Sequence, residues 1–441
     1  MGKEINVDQL IELGLEIADP QNEQHTSLKH KDDRYVSQKK DSDSRDPFER
    51  DYARVIHSAS FRRLQGKMQL LGTQTSDYYR TRLTHSLEAS QIGTEIATKV
   101  VTNLVDRKVS KSLVAMACLA HDIGNPPFGH FGEKALNVLM KEHGGFEGNA
   151  QTLRIVCNLE KKSKNYNGLN LTHSSRIALV KYNVTAEEKQ RAGKLLKGKF
   201  IYNEEALEIN SDEGVAPQSL ECQIMELADD IAYACHDLED SLKSGVLTLQ
   251  DVIWSLEQKE EEVKKQFESI LGTAKEVSGN SHGDIYHKAI TSVLINTFVN
   301  DIGVVELTPD ARAKKGTKFA KGLGMLTYED LLKELKQTVY ELLVRQPSVA
   351  EYEINGGIIV KELFTMLVDE KYNYNYRLFP LEFQDEINKS GSTDREGTVY
   401  RAASDYISGM TDSFALRLYK QHFGKDLPVY RDCSWEGKLP V

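Results

Sequence analysis

The stretch LAHDIGNPPFGH, residues 119–130, closes an apolar segment and then turns sharply. The segment before it, SKSLVAMACLA at residues 110–120, is almost wholly apolar, which predicts a short buried helix. The glycine and prolines of GNPP at residues 124–127 mark the end of that helix. His121 and Asp122 lie side by side at this end, and an imidazole beside a carboxylate offers two ligands to a divalent cation. Two ligands do not complete a metal site, so other parts of the chain must supply more.

The bulk composition is that of a soluble globular protein. The chain has 441 residues, of which 40% are hydrophobic and 28% charged, so it is long enough for two or three domains. Its formal net charge of -10 argues against general coating of nucleic acids, although it leaves room for local basic pockets.

The cysteines and the apolar runs bound the cellular setting. None of the five cysteines forms a C-x-x-C pair, which argues against a zinc ribbon or a disulfide framework. The N-terminus lacks the apolar run of a signal peptide, and no stretch of about 18 apolar residues predicts a membrane span. We therefore expect a reduced, cytoplasmic protein that makes no membrane contact.

The hydrophobic pattern predicts a mainly α protein in three parts. Residues 1–47 form a polar N-terminal arm with a possible helix at 7–18, residues 48–250 a helical core, and residues 251–441 a mainly helical C-terminal region. The predicted secondary structure is as follows: long helices at 81–105 and 219–244, closing helices at 325–346 and 398–422, strands at 199–203 (KFIYN) and 353–360 (EINGGIIV), and loops at 161–170, 210–218, 273–284, 309–323 and 385–397.

Further ligand candidates lie on the two long helices. His85 is about one turn into the first, and the second carries adjacent aspartates, Asp229 and Asp230. Together with His121 and Asp122, they can hold one divalent cation through nitrogen and oxygen ligands and leave positions for water and a phosphate oxygen. The alternative is ordinary structure, because a histidine on an apolar helix is often a core residue and an Asp-Asp pair is often solvated.

Several longer strings resemble the HD-domain metal phosphohydrolases, and within them the deoxyguanosine triphosphate triphosphohydrolases (dGTPases). The strings, in the family's order over roughly residues 46–245, are SFRRLQGKMQ (60–69), TRLTHSLE (81–88), HDIGNPPFGHFGE (121–133), FEGNAQ (146–151) and ADDIAYACHDLEDS (228–241). The resemblance implies an HD-domain helical fold, with extra C-terminal helices and a few short strands. It also implies hydrolysis of dGTP to deoxyguanosine and inorganic triphosphate by attack of water on the α-phosphorus.

The resemblance also implies a ligand set. One Mn²⁺, Mg²⁺ or similar ion would be held by His85, His121, Asp122 and Asp229. Periodicity does not choose between the two neighbouring aspartates, which point about 100° apart on the helix. The resemblance favours Asp229, which leaves Asp230 to orient a ligand from behind.

His130 and Glu133 form a second pair, three residues apart on one helix face. They are either an ordinary surface pair or a proton-transfer dyad in which Glu133 orients His130 and raises its basicity. The family's catalytic histidine and glutamate match these positions, which favours the dyad. The sequence leaves open whether His130 protonates the leaving oxygen or activates the water.

The remaining candidates would bind the nucleotide. A triphosphate carries about four negative charges and needs several cations. The candidates are Arg62, Arg82, Lys181 and Lys197 for the phosphates, and Gln69, Asn149, Tyr233 and Asp237 for the nucleoside. The lysine-rich segment 310–324 is either a solvated loop or a contact for a subunit, a regulatory nucleotide or nucleic acid.

Three functions remain to be compared. The first is a dGTPase or a broader dNTP triphosphohydrolase activated by another dNTP; the second is another HD phosphohydrolase, such as a nucleotidase; the third is a nucleotide sensor or DNA-binding regulator with a relict site. The resemblance further implies a homo-oligomer, a tetramer or hexamer, with single-stranded DNA or a dNTP as a possible effector.

Overall fold

The computed structural model describes residues 34, 45–69, 80–102, 109–194, 198–211, 214–215, 218–315, 317, 320–391 and 394–424. The predicted helix at 7–18 and Lys197 lie outside these residues. Within them the fold is mainly α, which confirms the predicted fold class. No helix among the described residues combines the length and apolarity that a membrane crossing requires.

The elements follow one another from α1 to α19, with four short strands. The helices are α1 Pro47–Ile56, α2 Ala59–Arg63, α3 Arg82–Thr102, α4 Lys111–Ala120, α5 Gly129–Leu139, α6 Gly148–Arg154, α7 His173–Ile177, α8 Ala186–Arg191, α9 Asn203–Ile209, α10 Leu220–Lys243, α11 Leu249–Leu256, α12 Glu261–Ser278, α13 Asp284–Asp301, α14 Pro309–Lys315, α15 Glu329–Val344, α16 Pro347–Val368, α17 Leu381–Lys389, α18 Arg395–Ser408 and α19 Asp412–Phe423. The strands are β1 Asn210–Ser211, β2 Gly214–Val215, β3 Ile302–Glu306 and β4 Lys321–Met325, and they form two antiparallel pairs, β1 with β2 and β3 with β4.

The larger hydrophobic core lies where α3, α4 and α10 pack together. Helix α4 is capped by Ser110, whose hydroxyl accepts from the amide of Leu113, and most of its side chains are fully buried. Helices α11, α12, α13 and α15 pack into the same core. Because α4 is apolar on nearly all sides, it runs through the middle of this core and ends at His121.

A second core lies between α5 and the C-terminal helices α16 to α19. Phe128, which precedes α5, is fully buried in it, as is Leu136 of α5 itself. The turn between α4 and α5 therefore passes from the first core to the second.

The predicted strand at 199–203 is wrong. Phe200, Ile201 and Tyr202 are all buried, and Ile201 makes only a single bridge to Thr185. A half-buried strand would alternate between buried and exposed side chains. The run of apolar residues here reflects burial from every side rather than a sheet.

The predicted strand at 353–360 is also wrong, because it lies inside α16. The β-branched residues of this segment favour a strand by composition. A Cβ at Gly356 would lie 2.3 Å from the Cβ of Phe128, so this glycine allows the close approach of α16 to the turn before α5. Packing against that turn thus explains a glycine that helix propensity disfavours.

Several predicted loops and one predicted helix have different bounds in the structure. The loop at 273–284 begins only after α12 ends at Ser278, and that at 385–397 lies between α17 and α18. The segment at 309–323 instead contains α14 and the start of β4. The helical segment predicted near 398–422 consists of two helices, α18 and α19, separated by residues 409–411.

We predict that Gly356→Ala lowers the midpoint of thermal unfolding, because its new methyl group collides with Phe128. Overpacking of this kind costs about 1–3 kcal/mol. Gly357→Ala is the matched control, since its Cβ would meet nothing closer than 3.8 Å. An alanine there should leave the midpoint unchanged or raise it, and equal effects of the two substitutions would contradict the packing account.

Candidate metal and nucleotide site

His121 lies at the C-terminal end of α4, with its ring buried. Its Nδ1 is 2.6 Å from the carbonyl oxygen of Cys118. Because a carbonyl only accepts hydrogen bonds, Nδ1 carries the hydrogen, and in the neutral ring Nε2 keeps a free lone pair. This arrangement orients a metal-ligating imidazole from behind.

His85 of α3 and Asp229 of α10 complete a cluster with the His121-Asp122 pair. The Oδ1 atom of Asp229 lies 3.0 Å from His85 Nε2 and 3.1 Å from His121 Nε2. Ligand atoms of His85, His121 and Asp122 all lie within 4.8 Å of one another. Three helices thus bring together the four residues that the sequence resemblance implied as ligands.

The chemistry of this cluster fits a divalent cation. The Nε2 of His121 is buried without a hydrogen-bond partner, although it lies close to a carboxylate oxygen. A lone pair and a carboxylate oxygen repel each other unless a proton or a cation lies between them. Burial disfavours the imidazolium, but Asp229 and then Asp122 outweigh it and raise the pKa of His121. The cluster therefore attracts positive charge, and its mixed nitrogen and oxygen donors suit a borderline divalent ion.

Two buried cations balance the carboxylates. Arg82 NH1 donates to Asp122 Oδ2 at 2.7 Å, and Lys181 Nζ donates to Asp229 Oδ2 at 2.9 Å. Burial alone would raise the pKa of Asp122, but Arg82 and the nearby histidines lower it to about 2. Burial opposes ionisation of Asp229 as well, yet Lys181 and His121 hold its pKa well below the usual range. Both carboxylates are thus ionised at neutral pH.

The carboxylate of Asp230 points away from the cluster of His85, His121, Asp122 and Asp229. It pairs with Lys336 of α15, whose Nζ also lies 5.0 Å from the centre of the Tyr233 ring. The expectation that Asp230 orients a metal ligand from behind is therefore wrong: its neighbour Asp229 turns inward, and Asp230 turns toward α15.

His130 and Glu133 lie together on α5, at a distance of 3.6 Å between Nδ1 and Oε2. The His130 side chain is 50% exposed, whereas Glu133 is largely covered. Glu133 accepts from the amide of Gly148 at 3.2 Å and from Lys199 Nζ at 3.1 Å. Burial opposes its ionisation, but the bond to His130 and the charge of Lys199 lower the pKa of Glu133 to about 2. An accessible imidazole thus stands beside a fixed carboxylate.

Lys199 and Glu353 are two charged residues near this pair that the sequence motifs did not single out. Glu353 of α16 is buried, and its Oε2 has no hydrogen-bond partner among the described residues. Burial raises its pKa, and the charges of His130 and Lys134 act against this rise. Both lie in segments predicted as strands, so their place beside α5 could not be anticipated.

The predicted nucleoside residues have different surroundings. Tyr233 packs against the His85 ring, with 4.7 Å between ring centres. Gln69 is buried, and neither its amide nitrogen nor its amide oxygen has a hydrogen-bond partner among the described residues. Asn149 donates to Glu147 at 2.7 Å. Burial and then Asp240 raise the pKa of Asp237 to about 8, so it can donate as well as accept near neutral pH.

Two basic residues that lie close together in the sequence, Arg62 and Lys67, differ in exposure. Arg62 is exposed and donates to the carbonyl of His57 at 3.1 Å, so it does not join the buried cluster. Lys67 is instead buried beneath the turn between α4 and α5. In the segment at 310–324, Lys315 pairs with Glu226 at 3.3 Å, which ties this part to α10 rather than leaving it solvated.

Cys118, Cys157, Cys222 and Cys235 are buried and free, and Cys433 lies outside the described residues.

Known proteins resemble this chain in both of its halves. Residues 82–234 match the HD domain, and residues 327–421 match the phosphohydrolase-associated domain. A Vibrio cholerae protein named deoxyguanosinetriphosphate triphosphohydrolase-like protein 2 is 38% identical over 412 residues, covering 90% of this chain and 92% of the relative. The chain belongs to the deoxyguanosinetriphosphate triphosphohydrolase-like family. Two further relatives are named deoxyguanosinetriphosphate triphosphohydrolase-like protein. The one from Shewanella sediminis is 37% identical and covers 90% of this chain and 96% of its own length. The one from Shewanella pealeana is 38% identical and covers 87% of this chain and 93% of its own length.

Membership in this family makes the protein an HD-domain phosphohydrolase. The resemblance inferred from the sequence motifs is confirmed, and the matched HD domain contains the whole His85, His121, Asp122 and Asp229 cluster.

We predict that Asp229→Asn lowers the affinity for Mn²⁺ at least about a hundredfold, because it removes a charged ligand rather than a group behind one. Asp230→Asn is the matched control, since it removes the neighbouring carboxylate, which pairs with Lys336. Calorimetric titration of the full chain measures both affinities. Equal losses in the two variants would exclude the assignment of Asp229 as the ligand.

Proposed function

We propose that this protein hydrolyses dGTP to deoxyguanosine and inorganic triphosphate, with water attacking the α-phosphorus. The observation that carries the proposal is the buried cluster of two imidazoles and two carboxylates, with Arg82 and Lys181 paired to the carboxylates. The names of the relatives support the choice of nucleotide.

The four clustered residues, His85, His121, Asp122 and Asp229, would hold one Mn²⁺ or Mg²⁺ ion. When bound, such an ion supplies Lewis-acid stabilisation of the charge on a phosphate oxygen. The carboxylates of Asp122 and Asp229 are ionised at neutral pH and contribute two negative charges. The backbone carbonyl of Cys118 holds the His121 ring in the tautomer whose Nε2 can bind a metal ion.

Arg82 and Lys181 are suited to bind the phosphates. The Nε of Arg82 is buried without a hydrogen-bond partner among the described residues. The ammonium group of Lys181 has three N–H donors, and Asp229 accepts from one of them. Each side chain can therefore bond a phosphate oxygen while it keeps its carboxylate. Arg62 stays a prediction for a phosphate contact, and Lys197 stays one for the outer phosphates.

His130 would protonate the leaving 5′-oxygen of deoxyguanosine. Its exposed ring can reach a substrate, and the ionised carboxylate of Glu133, 3.6 Å from Nδ1, can orient the ring for proton transfer. Gln69, Tyr233, Asp237 and Asn149 would contact the nucleoside. The buried amide of Gln69, which has no hydrogen-bond partner among the described residues, supports this most directly, because a buried polar group without a partner is costly unless a ligand or water satisfies it.

The reaction products test the proposal. We expect that incubation with dGTP and Mn²⁺ or Mg²⁺ releases deoxyguanosine and inorganic triphosphate, identified by chromatography and ³¹P NMR. The four dNTPs should be supplied singly and in pairs, which separates a dGTPase from a broader enzyme that needs a second dNTP. Release of pyrophosphate or orthophosphate would indicate another HD phosphohydrolase, and binding without turnover would indicate a sensor.

We predict that His130→Ala lowers kcat by about 100- to 10,000-fold, the usual contribution of a general acid or base. Glu133→Gln should cause a smaller loss, because it removes the charge behind the imidazole but leaves the ring. His282→Ala, which removes an exposed histidine between α12 and α13, is the control and should keep wild-type kcat. Wild-type activity of His130→Ala would contradict its role in proton transfer.

The assembly stays a prediction from the family resemblance: a tetramer or hexamer, with an effector site for a dNTP or single-stranded DNA. The cytoplasmic location stays a prediction from the cysteines and the N-terminal sequence.

A further inference from the structure

Asp412, the first residue of α19, reaches across to the HD domain with a buried carboxylate. Its Oδ1 accepts from the amide of Phe128 at 3.0 Å, and its Oδ2 accepts from the amide of Met68 at 2.9 Å. The Oδ2 atom also accepts from the Tyr352 hydroxyl at 2.9 Å. One side chain of the C-terminal region thus holds two backbone amides that lie far away in the sequence.

Both amides adjoin residues of the proposed site. Phe128 follows the Pro-Pro pair and lies two residues before His130, and Met68 directly precedes Gln69. Phe128 has a φ of +62°, in the left-handed region that non-glycine residues rarely adopt. Such a conformation persists only where the surroundings hold it. The bond from its amide to Asp412 is one such restraint, and the contact with Gly356 is another.

A second bridge runs beside the first. Lys67 Nζ donates to the carbonyl of Asn125 and, at 2.7 Å, to the carbonyl of Ser408. The Asn125 side chain in turn donates to Asp122. The end of α18 is therefore linked through Lys67 to the same turn, on the side of the proposed metal ligands.

The two segments also pack without space between them. A Cβ at Gly66 would lie 2.7 Å from Thr411 Cγ2, so residues 408–412 sit directly on the segment that leads to Gln69. Close packing of this kind transmits a displacement of one segment to the other.

We propose that Asp412 is a positioning residue of the hydrolase: its carboxylate fixes, from the C-terminal region, the backbone of the turn that presents His130. The bond to Met68 fixes the Gln69 segment in the same way. The roles of His130 and Gln69 rest on the proposed function, whereas the backbone restraint does not depend on it.

Substitution separates this role from general stability. Asp412→Asn keeps the size of the side chain, but an amide has only one oxygen, so its NH₂ group must face one of the two backbone N–H donors. Tyr352→Phe is the matched control, because it removes a buried hydrogen bond to the same carboxylate and leaves the hydrogen bonds from the amides of Phe128 and Met68 intact.

Hydrogen exchange of the full chain tests the restraint without any activity. In the wild-type protein, the amides of Phe128 and Met68 should exchange as slowly as those of α4. Asp412→Asn should speed exchange at least about tenfold around residues 66–69 and 125–130 and leave α4 unchanged, whereas Tyr352→Phe should not. Fast exchange of both amides in the wild type would overturn the proposal even if the variant failed to fold.

Kinetics tests the link to His130. We expect Asp412→Asn to lower kcat between about ten- and a hundredfold, as misplacement of a catalytic group does, with Tyr352→Phe within about twofold of the wild type. In a His130→Ala background, Asp412→Asn should cost no further kcat, because the group it positions is gone. Equal losses in both backgrounds would show a purely structural role. Failure of the wild type to hydrolyse any dNTP would refute the proposed function, and the exchange result would still decide the restraint.

Discussion

One oxygen of Asp229 lies within 3.1 Å of two imidazoles, and the helices α3, α4 and α10 have to converge for this to happen. Burying ionised groups costs several kcal/mol for each ion unless partners compensate it. Here Lys181 binds the other oxygen of Asp229, and Arg82 binds Asp122. The largely apolar α4 places His121 and Asp122 in the interior of the protein. Arg82 and Lys181 then balance the negative charge of Asp122 and Asp229 there.

The C-terminal region contributes to this arrangement rather than merely covering it. The second core contains Phe128, and helices α16 and α19 contact the turn that connects the two cores. Matches to an HD domain and to a phosphohydrolase-associated domain therefore describe two sequence segments that meet at the turn between α4 and α5. The boundary predicted at residue 250 stays a prediction, and α12, α13 and α15, which lie beyond it, pack into the first core.

The sequence predicted the parts of the site that lie in contiguous motifs. The HD pair, His85 and the His130–Glu133 spacing are local patterns, and the structure brings the first two together as expected. Periodicity could not separate Asp229 from Asp230, because the difference depends on Lys336 in a distant helix. The predictions of strands at 199–203 and 353–360 were wrong because both segments are rich in aromatic or β-branched residues, which are common in strands. Here these residues belong to an irregular buried segment and to a helix. The positions of Asp412 beside Phe128 and of Glu353 near His130 depend on packing between distant segments, which a single sequence does not reveal.

The distances along the chain between these contacts bear on how the protein folds. His85 and Asp229 are 144 residues apart, and Phe128 and Asp412 are 284 apart. Contacts of such high sequence separation form late, because the entropy of closing long loops must first be overcome. During synthesis from the N-terminus, the HD pair therefore exists for some time without the residues that complete and restrain it. The nascent chain acquires the full cation-binding cluster only after α10 emerges, and the restrained turn only after α19.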